Sequence, residues 1–247
     1  MSINLVIDAG NTQTKAALFE QNEIITSARS GNNDWAFVFE MTDKYNPSLA
    51  IISDVSGTTA ALARVLRKSM ELMYMNGETP VPLNMGYSSP KTLGPDRLAA
   101  AVYGKKMFPE DDVLVIQTGT CITYEFVSKA GNYSGGAISP GIDMRLKSMN
   151  TFTAKLPLVK KQEIDYLIGK TTKESILSGV INGCIAEIDG MIDQYSQNFR
   201  SLKIVAGGGD IFFFDKKLKN RIFATENLVL KGLNEILNFN NAKLKKY

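Results

Sequence analysis

Histidine is absent from all 247 residues of the chain. Its absence removes Ser-His-Asp and Cys-His mechanisms at once, so any general base is a carboxylate, a lysine or a tyrosine. Cysteine occurs only as Cys121 and Cys184, in neither a C-x-x-C nor a Cys/His cluster. That argues against zinc, and the thiols read as buried groups of a reducing compartment. No apolar run approaches the eighteen residues of a membrane span. The start, Ile3-Asn4-Leu5-Val6-Ile7, reads as a strand and not as a secretory leader. The expected location is cytoplasmic, with no membrane partner. A G-x-x-x-x-G-K-[ST] phosphate loop is missing, and no G-x-G-x-x-G follows the first strand. Net charge is only +3 and the pI about 8.7, too little to argue for nucleic acid. The basic stretch at 243–246 reads as a solvated tail.

What is present is an ordinary globular composition, 44% hydrophobic and 21% charged, enough for one large domain or two smaller ones. Strand signals fall at Ile3–Ile7, Lys15–Glu20, Glu23–Arg29 and Ser48–Asp54. Ser56 to Tyr74 carries Leu62, Val65, Leu66, Met70 and Met73 at helical spacing, with Ser56 or Thr58 to cap it and Gly77 beyond its end. Thr79–Leu83, with two prolines, is an edge strand or loop. Arg97–Phe108, Arg145–Lys155 and Glu163–Ile168 read as helices. Lys173–Phe199 reads as a long one, with an apolar stripe of Ile181, Ile185, Ile188, Ile192 and Tyr195. Gly179, Gly183 and Gly190 weaken that helix, so close backbone packing is expected at each. A final helix is expected over Leu228–Phe239.

The chain echoes itself. Leu5-Val6-Ile7-Asp8-Ala9-Gly10-Asn11-Thr12-Gln13-Thr14 matches Leu114-Val115-Ile116-Gln117-Thr118-Gly119-Thr120-Cys121-Ile122-Thr123 in its apolar strand, its glycine and its last threonine. The two copies open the two halves of the chain, which suggests a duplication. Strands followed by helices, twice over, imply an α/β protein of two lobes, 1–112 and 113–247, with a cleft between them; the final helix is free to pack back on the first lobe.

Three segments carry chemistry. In Asp8-Ala9-Gly10-Asn11-Thr12-Gln13-Thr14-Lys15, successive N–H groups around Gly10 can form an anion-binding concavity. Asn11, Thr12 and Lys15 add donors and charge, and Asp8 is placed to hold Mg²⁺ through water. A plain hairpin turn is the competing reading; the echo favours phosphate. In Gly94-Pro95-Asp96-Arg97, Asp96 is either a helix cap or the base for a substrate hydroxyl, and Arg97 offers a fork for a carboxylate or phosphate. Gly207–Gly209 lies against a nucleotide or is a flexible turn.

Taken in order, Asp8–Lys15, Gly94–Arg97, Gln117-Thr118-Gly119-Thr120, Gly135-Gly136-x-x-x-Pro140-Gly141, Thr172 ahead of Ile176-x-x-Gly179, and Thr225–Leu233 resemble type III pantothenate kinases over nearly the whole chain. The resemblance implies two ribonuclease H-like lobes of the acetate and sugar kinase/Hsp70/actin superfamily, with an interlobe ATP cleft, in a homodimer. It implies ATP-dependent phosphorylation of pantothenate, the first step toward coenzyme A, with Mg²⁺ and a monovalent cation, K⁺ or NH₄⁺. By motif, Asp8–Lys15 and Thr120 would contact ATP. Asp96 would accept the pantothenate proton. Tyr87, Gly94, Pro95, Asp96, Arg97 and Thr172 would bind pantothenate, Thr172 from the dimer partner. The family has an aspartate for the monovalent cation where this chain has Gln117. A neutral amide there leaves the cation site weakened or differently supplied, or the protein less active. The alternatives are a nucleotide-binding regulator of the same fold, or a kinase for another small alcohol.

Overall fold

The computed structural model describes residues 3–31, 34–214 and 216–244. The basic tail at 243–246 runs into residues outside that description. The chain gathers into two compact units, Met1–Pro109 with Gly131–Ser134 and Asn227–Tyr247, and Glu110–Ala130 with Gly135–Glu226. A division after residue 112 is thus modified by short returns of the chain to the first unit.

In the first unit β1 (Ile3–Ala9), β2 (Gln13–Glu20) and β3 (Glu23–Gly31) form an antiparallel meander. α1 (Ala36–Tyr45) leads to β4 (Leu49–Asp54), parallel to β1, and α2 (Ala60–Leu66) leads to β5 (Glu71–Met75), parallel to β4. The sheet runs β3-β2-β1-β4-β5. Strand residues alternate between two buried faces. Leu5, Ile7, Leu18 and Ile52 pack on one side with Val38 and Met41 of α1 and Leu62, Ala63 and Leu66 of α2. Val6, Ala17, Phe19 and Ile51, on the other face, are also fully buried. β6 (Asn84–Met85) pairs with Asn132 and Tyr133, and α3 (Pro95–Met107) follows a turn of 3₁₀ helix at Pro90–Thr92.

In the second unit β7 (Asp112–Thr118) and β8 (Cys121–Val127) form an antiparallel hairpin, followed by β9 (Asn132–Pro140), whose first residues belong to the first unit. α4 (Ile142–Thr151), α5 (Thr172–Asn198), β10 (Leu202–Gly207), α6 (Ile211–Phe214) and β11 (Phe223–Ala224) complete the unit. β10 lies parallel to β7 and β11 parallel to β10. Leu114, Ile116, Ile122 and Tyr124 pack against Ile181, Ile188 and Ile192 of α5. α5 is long and apolar enough, by length and composition, to cross a membrane, but half of that window is buried and its stripe is the core of this unit.

The last helix, α7 (Leu228–Leu244), returns to the first unit. Asn4 of β1 donates to Asn234 Oδ1 (2.8 Å) and Asn238 Oδ1 (2.9 Å). A Cβ on Gly232 would stand 1.9 Å from the Ala99 carbonyl oxygen of α3, so only glycine permits this helix crossing.

Four expectations are corrected. The helix expected over Ser56–Tyr74 ends at Leu66, and Met73 and Tyr74 lie in β5, where backbone pairing with β4 overrides the apolar spacing. Its start is Thr59 without a side-chain cap; instead Asp54 takes the N–H groups of Ser56, Gly57 and Thr59. Glu163–Ile168 is not helical. Its carbonyls are taken by side chains: Lys217 Nζ donates to Ile164 O (2.7 Å), Asn182 to Tyr166 O (3.2 Å), and Ser178 to Leu167 O. The helix expected over Arg145–Lys155 runs Ile142–Thr151, started by the Gly141 turn. Finally, Gly179, Gly183 and Gly190 have nothing within 4 Å of an added Cβ, so close packing within the chain does not account for them.

Candidate active site

Asp8 is the penultimate residue of β1. Its cross-strand partner on β2 is Lys15, and its parallel neighbour on β4 is Ser53. Ser53 Oγ donates to Asp8 Oδ1 at 3.2 Å. Burial pushes the Asp8 carboxyl up to about 7; the charge of Asp96 adds to the rise, Lys15 and Ser53 oppose it, and Asp54 adds a little more. Asp8 and Asp96 are therefore two interacting carboxylates at one place in the first unit.

Asp96 is fixed by the start of α3. Gly94 is the N-cap, Pro95 opens the helix, and Asp96 Oδ1 accepts the Arg97 N–H at 2.9 Å. Burial raises the Asp96 carboxyl above its usual range, against the pull of the Arg97 N–H and guanidinium. A Cβ on Gly94 would lie 2.6 Å from Asp96 Oδ1, so the glycine keeps that carboxylate in place. Arg97, itself buried, lies with its guanidinium 5.8 Å from the Tyr87 ring centre. Tyr87 packs on Tyr133 with ring centres 6.1 Å apart, and Gly86 N donates to Tyr133 O (2.9 Å). The structure thus brings Tyr87, Gly94, Pro95, Asp96 and Arg97 into one neighbourhood, and Asp96 and Lys15 both act on the charge of Asp8.

The turn Gly10-Asn11-Thr12 is closed by Gly10 N on Gln13 O (3.0 Å). Gly10 is not left-handed; a Cβ would stand 3.2 Å from Gln13 O, so tightness is its reason. Asn11, Thr12 and Gln13 are exposed at its tip, while Ala9 and Thr14 are buried beneath it.

Gln117, Thr120 and Thr172 belong to the second unit. Gln117 is penultimate in β7, as Asp8 is in β1. Here the echo is corrected in its register. Thr14 opposes Ala9, but Thr123 opposes Gln117, because the second turn is one residue shorter. Thr123 is therefore the counterpart of Lys15, and its buried hydroxyl makes no hydrogen bond among the described residues. Thr120 is exposed, and Thr172 is exposed at the start of α5, where Thr171 caps Glu174 N (3.2 Å). The Gly207–Gly209 turn is packed and specific. Gly208 has φ 103°, and a Cβ there would lie 2.1 Å from Thr118 O.

Sequence reasoning missed Ser53 and Asp54. Asp54 accepts from Ser56 N and Oγ, Gly57 N, and Thr59 N and Oγ; burial would raise its carboxyl, but these bonds hold it below the usual range. A strand ending in Ser-Asp, to be paired with the strand that carries Asp8, was the available signal.

Among the described residues no group of three or more carboxylate or thiol ligands forms a metal cage. Asp8 suits Mg²⁺ all the same. That ion keeps waters and is commonly shared between one or two carboxylates and the substrate's phosphates, and a buried carboxylate that a neighbouring carboxylate raises is relieved by a cation.

Two hairpin-led α/β units of this topology define a fold that solved sugar kinases share. At the level of fold, the chain is similar to the Arthrobacter inorganic polyphosphate/ATP-glucomannokinase (TM-score 0.53, 15% identity, 97% of this chain and 100% of that one). It is also similar to a Campylobacter jejuni protein described as a Baf family transcriptional activator (TM-score 0.62, 17% identity, 96% and 99%). The profile of the type III pantothenate kinase family matches residues 4–194. A type III pantothenate kinase of Bacteroides fragilis is 42% identical over 243 residues, 98% of this chain and 100% of the relative. The chain belongs to the type III pantothenate kinase family.

Proposed function

We propose that this kinase transfers the γ-phosphoryl group of ATP to the hydroxyl of pantothenate, giving 4′-phosphopantothenate and ADP as the first step of coenzyme A synthesis. The observation that carries the reading is the interacting Asp8–Asp96 pair, with Arg97 and Tyr87 beside it. Asp96 takes the hydroxyl proton as the new O–P bond forms and the bond from the γ-phosphorus to the ADP oxygen breaks. A carboxyl raised by burial is a better base than an exposed one. Phosphoryl transfer asks mainly for positioning and charge neutralisation. The Asp8–Lys15 turn receives the phosphates through its N–H groups and Lys15, and Thr120 contacts ATP. Tyr87, Gly94, Pro95, Arg97 and Thr172 hold pantothenate, Arg97 offering its guanidinium to the substrate carboxylate. Through water, Asp8 would hold Mg²⁺, which when bound neutralises phosphate charge. The Gln117 amide oxygen is offered to a monovalent cation, K⁺ or NH₄⁺.

The active form is a homodimer in this reading. The second unit exposes Phe152, Leu158, Leu167 and Ile168, the first of them 84% exposed, an apolar surface that asks for cover. The two free thiols fit a reducing cytoplasm. The test is ADP release with Mg²⁺, across a panel of small alcohols and over K⁺ and NH₄⁺ concentrations. Release that requires pantothenate supports the reading; release that ignores it, or prefers another alcohol, overturns it.

A further inference from the structure

Glu187 lies in the middle of α5 and has no role in the site assigned so far. It is the hub of a compact polar cluster inside the second unit. Tyr124 OH donates to its Oε1 at 3.1 Å, Ser139 Oγ donates to the same oxygen, and Arg145 Nη2 donates to Oε2. Burial alone would raise the Glu187 carboxyl, but the bonds from Ser139 and Arg145 hold it below the usual range, so it is an anion in this setting. Arg145 has a second attachment: its Nε donates to Pro140 O at 2.7 Å. Ser139 and Pro140 are therefore both gripped by the pair.

The next residue explains what the grip is for. Gly141 N donates to Thr120 O at 3.0 Å. A Cβ on Gly141 would lie 2.0 Å from Gly119 O and 2.8 Å from Thr120 O, so the Pro140–Gly141 segment lies directly on the Gly119–Thr120 turn. Within the turn, Gly119 N donates to Cys121 O at 3.0 Å.

We propose that the Arg145–Glu187 pair is a positioning device for the ATP-contacting turn, acting through Pro140 and Gly141 on the backbone of Gly119 and Thr120. Neither residue touches the reacting atoms; each sets where Thr120 stands. The inference rests on the reading of Thr120 as an ATP contact. Its chemistry is specific: a planar guanidinium spans a carboxylate and a carbonyl at once, which an ammonium does not.

The test compares Glu187→Gln, Arg145→Lys and Thr120→Val with the parent enzyme, by steady-state kinetics in each substrate and by binding of a non-hydrolysable ATP analogue. Thr120→Val is the reference for the turn itself. Glu187→Gln is expected to raise KM for ATP at least about tenfold and weaken the analogue in step, with KM for pantothenate within about twofold, since small misplacements of a positioning group cost that much. Arg145→Lys keeps the charge and loses the span, and should fall between; it also serves if Glu187→Gln does not fold. KM values that move together, or a lowered Tm with KM for ATP unchanged, overturn the proposal. If Thr120→Val leaves KM for ATP unchanged, the reading of the turn fails and takes the proposal with it. If Thr120→Val raises it and neither charge variant does, only the positioning role fails.

Discussion

β1 and β7 carry the same pattern of burial, each pairs antiparallel with the next strand, and each has a parallel neighbour on its other side, β4 and β10. At the penultimate position the likeness stops. Asp8 faces Lys15, and Asp96 and Asp54 act on it; Gln117 faces Thr123, whose hydroxyl is left without a bond among the described residues. The repeated scaffold is kept by burial, which constrains the apolar positions in both copies. The charge at the turn is unconstrained by the fold and has been placed in one copy. Fold and chemistry are thus separable within a single chain.

The comparison can be broken by moving charge. Asp8→Asn is expected to lower kcat/KM by about a hundredfold or more, since it removes the carboxylate proposed to hold Mg²⁺. The same substitution should stabilise the ligand-free protein above neutrality. Asp8 has a folded value near 7 against an ordinary 3.8, so the folded state binds this proton more tightly, and stability falls as pH rises between those values and is flat above them. The Tm of Asp8→Asn should exceed that of the parent at pH 8 and approach it at pH 4; equal Tm values at pH 8 would show that burial does not strain this carboxylate. Gly94→Ala crowds Asp96 Oδ1 and should lower kcat by about tenfold with little loss of Tm. In the turn after β10, which packs on the end of β7, Gly208→Ala meets Thr118 O in a left-handed conformation and should cost about 1–3 kcal/mol in a denaturant titration. The smallest effect is Gln117→Asp, which makes the turns alike in charge; a few-fold tighter response of turnover to K⁺ is expected, and none would remove position 117 from cation binding.

Much of this arrangement was legible in the residues. Compact apolar runs gave β1, β4 and β7, and the stripe on α5 gave its length to within a residue or two. The failures are physical. α1 follows Trp35, which supplies no side-chain cap and so announces no start. The spacing of Leu62, Leu66, Met70 and Met73 continues through α2 into β5, because a period in the sequence does not record that β4 offers an unpaired edge. The Thr14–Thr123 match ignored a turn shorter by one residue. At the site, Asp8, Gly94, Asp96, Arg97 and Tyr87 were named from motifs and share one neighbourhood. Ser53 and Asp54 were not named, since only the parallel pairing of β4 with β1 brings them beside Asp8.

The proposed chemistry turns on Asp96 accepting the proton of the substrate hydroxyl. The direct measurement is turnover of Asp96→Asn with ATP, Mg²⁺ and pantothenate saturating, alongside its circular dichroism and its affinity for an ATP analogue. Asp96→Asn should lose about 10² to 10⁴-fold in kcat with fold and nucleotide affinity kept. A kcat within about threefold of the parent would contradict it, because no group contributing general-base catalysis on that scale can be lost so cheaply.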